Sequence, residues 1–507
     1  MSDLEQKTTS VEERTAYRGI FKATSLFGGV QLWKILIEIV KQKFIAILLG
    51  PTGMGISGLY TSATQLIQGL TSMGLSSSAV KNVAEANGSG DFQRISRVVT
   101  VLRKLVWVTG LLGMIVVIAL SPILSKSTFG NYDYTIPFIL LSVTLLFQQL
   151  SAGQSVVLQG MRKLKHLAKS GVLGSFFGLV ISVPIYYFFG IEGIVPTLIL
   201  SSITTLLLTW YFSRKIKIEK QNITPKQTFQ EGKEMLKMGL VMSLNSILVL
   251  GVAYIVRIFI VRIGGTDEVG LYTAGFAIVN GYVGLIFTAM GTDYYPRLAG
   301  VNKDNQKCKE MINQQAEIAI LIIAPIIMIF LLIAPYAITL LYSNQFTPIT
   351  GFMQWAMLGM IFKAISWSMG YLIIAKGESK LFTKTTLFFN SVFLINDILF
   401  YYIFGLTGLG IAFAINYFIH LFGLYIITNK KYKFTFDKKI FFYIPLFVFA
   451  VLLELIIQNF THGIIKNISG AFLVIIIIVI SLYQINIKLD LHKYIKNKYG
   501  KNSEKNS

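Results

Sequence analysis

Residues 21–50 read FKATSLFGGVQLWKILIEIVKQKFIAILLG, an apolar helical pattern whose middle carries Gln31, Lys34, Glu38 and Lys41. About 30 residues at 1.5 Å each reach roughly 45 Å, more than the ~30 Å hydrocarbon core of a bilayer. Spacings of three, four and three place the four polar side chains on one helix face. A helix that sits in lipid while carrying a charged stripe turns that stripe toward a protein interior or a water-filled cavity. The stretch therefore calls for a bundle of membrane helices with a polar lumen.

The rest of the chain supplies such a bundle. Of its 507 residues 54% are hydrophobic and 14% charged, against about 25% charged in soluble domains. Apolar helical segments are expected near 21–49, 54–80, 102–122, 134–160, 166–189, 193–213, 236–264, 268–296, 315–342, 348–375, 381–404, 408–429, 439–459 and 466–486. The expected fold is thus an all-α integral membrane protein of about 14 transmembrane helices. Residues 1–18 are polar and mixed in charge, so the first apolar segment reads as a retained helix.

With both termini on the cytoplasmic side, alternate loops hold 38 of the 46 Lys and Arg residues, and the outer loops hold Lys126 and Lys466. That split follows the positive-inside rule. It gives the net charge of +22 a topological meaning and argues against a nucleic-acid partner. The single cysteine, Cys308, excludes an intramolecular disulfide and a cysteine-based metal site. No cofactor is expected, and a proton or sodium gradient is left open as a source of coupling.

The order of segments suggests a duplication. LIEIVKQKFIAILLGPT at 36–52 aligns without a gap on LGVAYIVRIFIVRIGGT at 250–266, pairing Gly50 with Gly264 and Lys43 with Arg257. Gly58-Leu59-Tyr60-Thr61 then matches Gly270-Leu271-Tyr272-Thr273 after a two-residue offset. A six-helix unit used twice places both copies in the membrane the same way round, related by a pseudo-two-fold axis along the membrane normal. The expected organisation is a cytoplasmic tail (1–18), an N-terminal six-helix lobe (19–213), a basic cytoplasmic linker (214–235), a C-terminal six-helix lobe (236–429), two accessory helices (430–486) and a basic cytoplasmic tail (487–507).

Two stretches carry a family resemblance. LLGPTGMGISGLY followed by QLIQGLTSMGLSSSAVKNVAE resembles the opening of bacterial O-antigen and polysaccharide-unit flippases. MGTDYYPRLAGVNKDNQKCKEMINQQAE at 290–317 is similar to the segment after helix 8 in O-antigen translocases of that group. They belong to the multidrug/oligosaccharidyl-lipid/polysaccharide exporter superfamily. The resemblance implies two six-helix bundles around a cavity that opens alternately to each side. Its implied cargo is an oligosaccharide linked through pyrophosphate to a polyprenyl lipid, moved to the outer leaflet of the bacterial cytoplasmic (inner) membrane. A polysaccharide polymerase and a chain-length regulator are the partners it implies, beside membrane lipids.

The candidate cargo contacts follow from residue chemistry. Lys34, Lys41 and Gln31 line the helix-1 stripe, and Arg257 lies mid-helix in the counterpart helix with no acid three or four positions away. The planar guanidinium fork suits a pyrophosphate. Lys363 adds a further cation in helix 10, and Gln148 is placed to bond sugar hydroxyls. Glu38, Asp397 and His420 are candidates for coupling, with a Lys363–Asp397 ion pair as the alternative. Asp293 and Arg297, four apart, are either a helix-end pair or an inner gate.

Gly53-Met54-Gly55-Ile56-Ser57-Gly58 spells GxGxxG, but it joins two membrane helices instead of following a strand, so nucleotide binding is not expected. A drug-cation antiporter of the same fold tends to line its cavity with acids, whereas six Lys or Arg lie within these helices. That antiporter is the main alternative; a peptidoglycan lipid-precursor flippase is the second, and cavity charge does not separate it. The short outer loops leave no place for the catalytic loop of a polyprenyl-sugar enzyme, so no enzymatic activity is expected.

Overall fold

The computed structural model describes residues 2–219 and 221–489, with side chains from Trp33 to Ile487 apart from Val241, Tyr282, Ala289 and Thr292. Gln31 lies outside the described side chains. The order is α1 (Ser2–Thr71), α2 (Leu75–Gly88), α3 (Phe92–Phe129), α4 (Thr135–Gly160), α5 (Leu164–Phe189), α6 (Ile194–Arg214), α7 (Pro225–Phe276), α8 (Leu285–Gly300), α9 (Asn305–Leu341), α10 (Thr350–Ala375), α11 (Ser379–Tyr432), α12 (Lys438–Phe460) and α13 (Gly463–Leu489). A π-helical turn at Ala277–Val283 separates α7 from α8.

Nine stretches among the described residues are long and apolar enough to cross a membrane, by length and composition. Their outward faces are apolar too. On α13, Ile465, Ile468, Phe472 and Ile475 recur at helical spacing and are 57–72% exposed. Water would penalise such faces and hydrocarbon does not. The chain is a multi-pass membrane protein.

Three expected helix pairs appear as single long helices broken at one glycine. Gly50 breaks α1 (φ 64°, ψ −168°), Gly265 breaks α7 (φ 80°, ψ −179°) and Gly405 breaks α11 (φ 57°, ψ −143°). Gly190, with φ 54° and ψ −131°, ends α5 before α6. These dihedrals are open to glycine and strained for a residue with a Cβ. Gly265 follows Gly50 by 215 positions (265 − 50), and Gly405 follows Gly190 by 215 (405 − 190). The turn after α4 repeats at the same offset: Lys163 N donates to Leu158 O, as Glu378 N does to Ile373 O. The backbone thus records an internal duplication with a register of 215.

The chain divides into two compact units, Met1–Gly270 and Leu271–Ser507. In the first, α2, α3 and α4 share a core that includes Leu75, Val83, Val99, Leu102, Leu150 and Val157. Ile223 and Met235 join that core, so the basic segment before α7 is docked and not a loose tether. Gln221 Nε2 donates to Gln93 O at 3.1 Å, Lys104 Nζ to Ile223 O, and the Arg97 guanidinium grips the Glu231 carboxylate.

The second arm of α1 crosses α7 where side chains are missing. A Cβ on Gly55 would strike the Thr266 carbonyl, and one on Gly270 the Pro51 carbonyl. Adding 215 to 51 and 55 gives 266 and 270, so this contact is its own copy under the duplication. Thr52 Oγ1 donates to Asp267 Oδ1 at 2.5 Å beside it. The GxGxxG glycines are helical here, and close packing accounts for Gly55.

In the second unit α10 is buried nearly all round, from Phe352 and Met353 through Ile361 and Ile365 to Leu372. Gly359 and Gly410 let α10 and α11 approach so closely that a Cβ on either would meet backbone. Tyr294 Oη donates to Ser368 O at 2.8 Å and Tyr342 Oη to Ala274 O at 3.1 Å, anchoring α8 and the end of α9.

Candidate functional site: one cavity in each unit

The first cavity, of about 490 Å3, lies among α1, α4, α5 and α6. Lys34, Glu38 and Lys41 of the α1 stripe face it, opposite Ser151 and Ser155 of α4 and Ser201, Thr205 and Thr209 of α6. The hollow comes from α5, where Gly171, Gly174, Ser175 and Gly178 recur at helical spacing on the same wall. A Cβ on Gly178 would meet no atom within 4 Å, and one on Gly174 only Thr205 Oγ1 at 3.8 Å.

Its charges do not cancel. Glu38 faces Lys41 Nζ at 3.7 Å and accepts from Gln42 Nε2 at 2.9 Å. Lys34 forms no ion pair among the described residues. Two lysines against one glutamate leave a net positive wall, and partly exposed pairs of this kind hold charge only weakly. The hydroxyls are largely turned back on their own helices: Ser170 donates to Leu167 O, Thr205 to Ser201 O and Thr209 to Thr205 O. Their oxygens still accept hydrogen bonds from a guest.

The second cavity, of about 230 Å3, is lined by α10 and both arms of α11. Its walls are aromatic: Trp367, Phe382, Phe389, Phe393 and Tyr417. Lys363 Nζ donates to Asn280 Oδ1 at 2.6 Å and lies 5.1–5.7 Å from the ring centroids of Phe287, Phe413 and Tyr417. Asn280 reaches it from the π-helical turn. His420 packs its ring on Phe389 (4.6 Å) and Tyr417 (5.9 Å), and its buried Nδ1 has no hydrogen-bond partner.

These two cavities are the same place in the two repeats. Ten of the fourteen residues lining the second lie 215 positions after a residue lining the first. Ser151 becomes Ser366, Gly174 becomes Phe389, Ser175 becomes Asn390, Gly178 becomes Phe393 and Thr205 becomes His420. The sequence alignment that paired Gly50 with Gly264 is one residue short, because the backbone breaks at the second glycine of the Gly264-Gly265 pair, and the match of Gly58 to Gly270 is three short, since Gly270 lies 215 positions after Gly55. In the structural register Arg257 matches Gln42 (257 − 215), one residue from Lys43.

The remaining candidates are dispersed. Gln148 is exposed and lines neither cavity, while its neighbour Gln149 is buried and donates to Thr109 Oγ1 at 2.9 Å. Arg257 Nη1 donates to Ala253 O, one turn earlier, at 3.0 Å. Arg262 caps the end of α3 through the carbonyls of Lys126 and Ser127. Asp397 accepts from Asn416 Nδ2 at 3.0 Å, and Asn396 Nδ2 donates to Asn416 Oδ1 at 2.8 Å. Lys363 and Asp397 are therefore served by separate amides and do not pair with each other. Asp293 and Arg297 form an exposed ion pair at 2.8 Å. The small residues of α5 and α6 escaped a reading based on charge; the signal that would have found them is the Gly171, Gly174, Gly178 spacing.

Long apolar helices around partly open cavities, one hydroxyl- and lysine-lined and one aromatic, define a membrane transport-type bundle. Residues 44–351 match the family described as polysaccharide biosynthesis protein, which is more than half of the chain. The chain belongs to that family. A curated relative, the lipid III flippase of Escherichia coli (strain K12), is 24% identical over 376 residues, covering 71% of this chain and 86% of the relative. Among solved structures, the lipid II flippase MurJ in an inward closed conformation aligns with a TM-score of 0.68 and 13% identity, covering 92% of this chain and 99% of that one. An inward-facing multidrug resistance MATE family transporter of the MOP superfamily aligns at 0.65 and 17%, covering 79% and 94%. The fold is the one these transporters share.

Proposed function

We propose that this protein is a flippase for a polyprenyl-pyrophosphate-linked oligosaccharide, an O-antigen or related surface-polysaccharide unit, carried from the cytoplasmic to the outer leaflet of the bacterial inner membrane. The observation that carries the reading is the net positive, hydroxyl-lined cavity holding Lys34 and Lys41. Charged phosphates and sugars cross some 30 Å of hydrocarbon slowly unless polar groups substitute for water. The polysaccharide-biosynthesis family and the lipid III flippase relative support a lipid-linked sugar as cargo.

In this reading fourteen helices cross the membrane with both termini cytoplasmic, and two six-helix lobes rock to expose the path alternately. Lys34, Lys41 and Arg257 meet the pyrophosphate. Asp397, Glu38 or His420 carries any coupling proton or cation, and the Asp293–Arg297 pair guards the inner mouth. A polymerase and a chain-length regulator receive the product. A peptidoglycan lipid precursor is the second reading, favoured by the alignment with the lipid II flippase over 92% of the chain. A drug cation is disfavoured. The one carboxylate lining the first cavity, Glu38, is flanked by Lys34 and Lys41, and the second cavity has none among the described residues.

The test is translocation in liposomes. Purified protein is reconstituted with polyprenyl-pyrophosphate oligosaccharide, and exposure of the sugar to an externally added sugar-modifying enzyme is followed over time. Wild type speeds exposure, and Lys34→Ala and Arg257→Ala each slow it at least tenfold without loss of folded protein. Extrusion of small organic cations against an ion gradient, with no sugar exposure, overturns the reading.

A further inference from the structure

We infer that the aromatic cavity of the second unit is a binding subsite for a single neutral pyranose ring; this rests on the flippase reading, since the cargo is what brings the sugar. The comparison of the two cavities carries the argument. At matched positions the first unit keeps glycine and serine, and the second has replaced Gly174, Ser175, Gly178 and Thr205 with Phe389, Asn390, Phe393 and His420. Substitutions that merely packed the space with hydrocarbon would have closed it. These leave about 230 Å3 open. That suits one sugar ring and not a chain of them.

The lining chemistry selects the guest. Aromatic faces carry partial negative charge and favour electropositive edges. The C–H groups on one face of a pyranose are such edges. A cation is the other natural guest of an aromatic cage, but here Lys363 itself lines the cavity, with its ammonium over the Tyr417 ring. A second cation would meet its charge, and no carboxylate among the described lining residues offsets it. A phosphate is poorly served, because Lys363 is already held by Asn280 at 2.6 Å. What remains is a neutral ring with hydroxyl groups. His420 Nδ1, buried without a partner, and the Asn390 amide stand ready for those hydroxyls, and a buried polar atom left unpaired is costly. Asn390 Nδ2 is fixed on Thr386 O at 2.8 Å, which aims its acceptor oxygen.

The experiment uses the full chain in lipid nanodiscs with its tryptophans replaced by 5-fluorotryptophan. Trp367→Phe identifies the Trp367 fluorine resonance. Methyl glycosides of glucose, galactose, rhamnose and N-acetylglucosamine are titrated one at a time. At least one is expected to move the Trp367 resonance saturably, while inorganic pyrophosphate leaves it in place. His420→Leu, which keeps the volume and removes the ring nitrogens, is expected to raise the midpoint about tenfold. His420→Gln, which retains hydrogen-bonding atoms, recovers part of the loss. No shift with any glycoside, or a shift unchanged by His420→Leu in folded protein, overturns the subsite. Glycoside binding without translocation in liposomes overturns the flippase reading and leaves the subsite standing. Translocation without glycoside binding does the reverse.

Discussion

The cavity among α1, α4, α5 and α6 and the cavity of α10 and α11 sit at the same register of a duplicated backbone, yet one is lined by glycine, serine and lysine and the other by rings. What the copies share is geometry: the glycine breaks at Gly50 and Gly265 and at Gly190 and Gly405, and the turn after α4 and α10. What they do not share is the chemistry facing inward. Duplication has kept the positions at which the chain must bend and released those at which it meets a guest. The comparison also separates two uses of a cation. Lys34 carries charge toward a hollow, whereas Lys363 is enclosed by rings and an amide.

The contrast can be broken at its shared frame first. Gly55→Val and Gly270→Val each drive a side chain into backbone of the opposing helix, where no flexible atom can yield. Loss of folded protein is expected from either, read as monodisperse yield from detergent extraction, and survival of one alone would show that the crossing is not shared equally. The next largest effect lies in the second cavity. Phe389→Gly imitates the first unit but removes a ring packed on His420, Phe388 and the Cβ side of Gly423. It should cost about 3–5 kcal/mol, seen as a lowered thermal midpoint.

The converse exchange, Gly174→Phe, fills the first cavity where a Cβ has room. Stability should hold within about 1 kcal/mol while translocation falls at least tenfold; unchanged transport would remove that cavity from the path. Lys41→Ala should be milder than Lys34→Ala, because Glu38 already offsets Lys41 at 3.7 Å.

Much of this frame was legible before any coordinates. The spacing of Lys34, Glu38 and Lys41 fixes one helix face whatever the tertiary structure, and the structure puts all three on one cavity. The expected helix pairs around residues 50, 265 and 405 were legible as well, because glycine between apolar helical runs marks a turn. Less was legible where neighbours are chemically alike. Gly264 and Gly265 differ only in the dihedral each adopts, so sequence pairing chose the wrong one. Gln148 and Gln149 differ only in which way α4 turns them, and packing against Thr109 decides it. The walls of the first cavity were invisible to a search for charge, since their contribution is the absence of side chains. The role of Asn280 depends on a wide π turn that no local pattern announces.

The glycine breaks bear on how the chain is made. Where two membrane helices are joined through one residue, as at Gly50, Gly265 and Gly405, there is no polar loop to be hauled through the bilayer between them. The two arms can enter the insertion machinery as one wedge. Lengthening the turn at Gly405 by a few charged residues would put back such a loop and burden biogenesis; at Gly50 and Gly265 it would also disturb the crossing at Pro51 and Thr266.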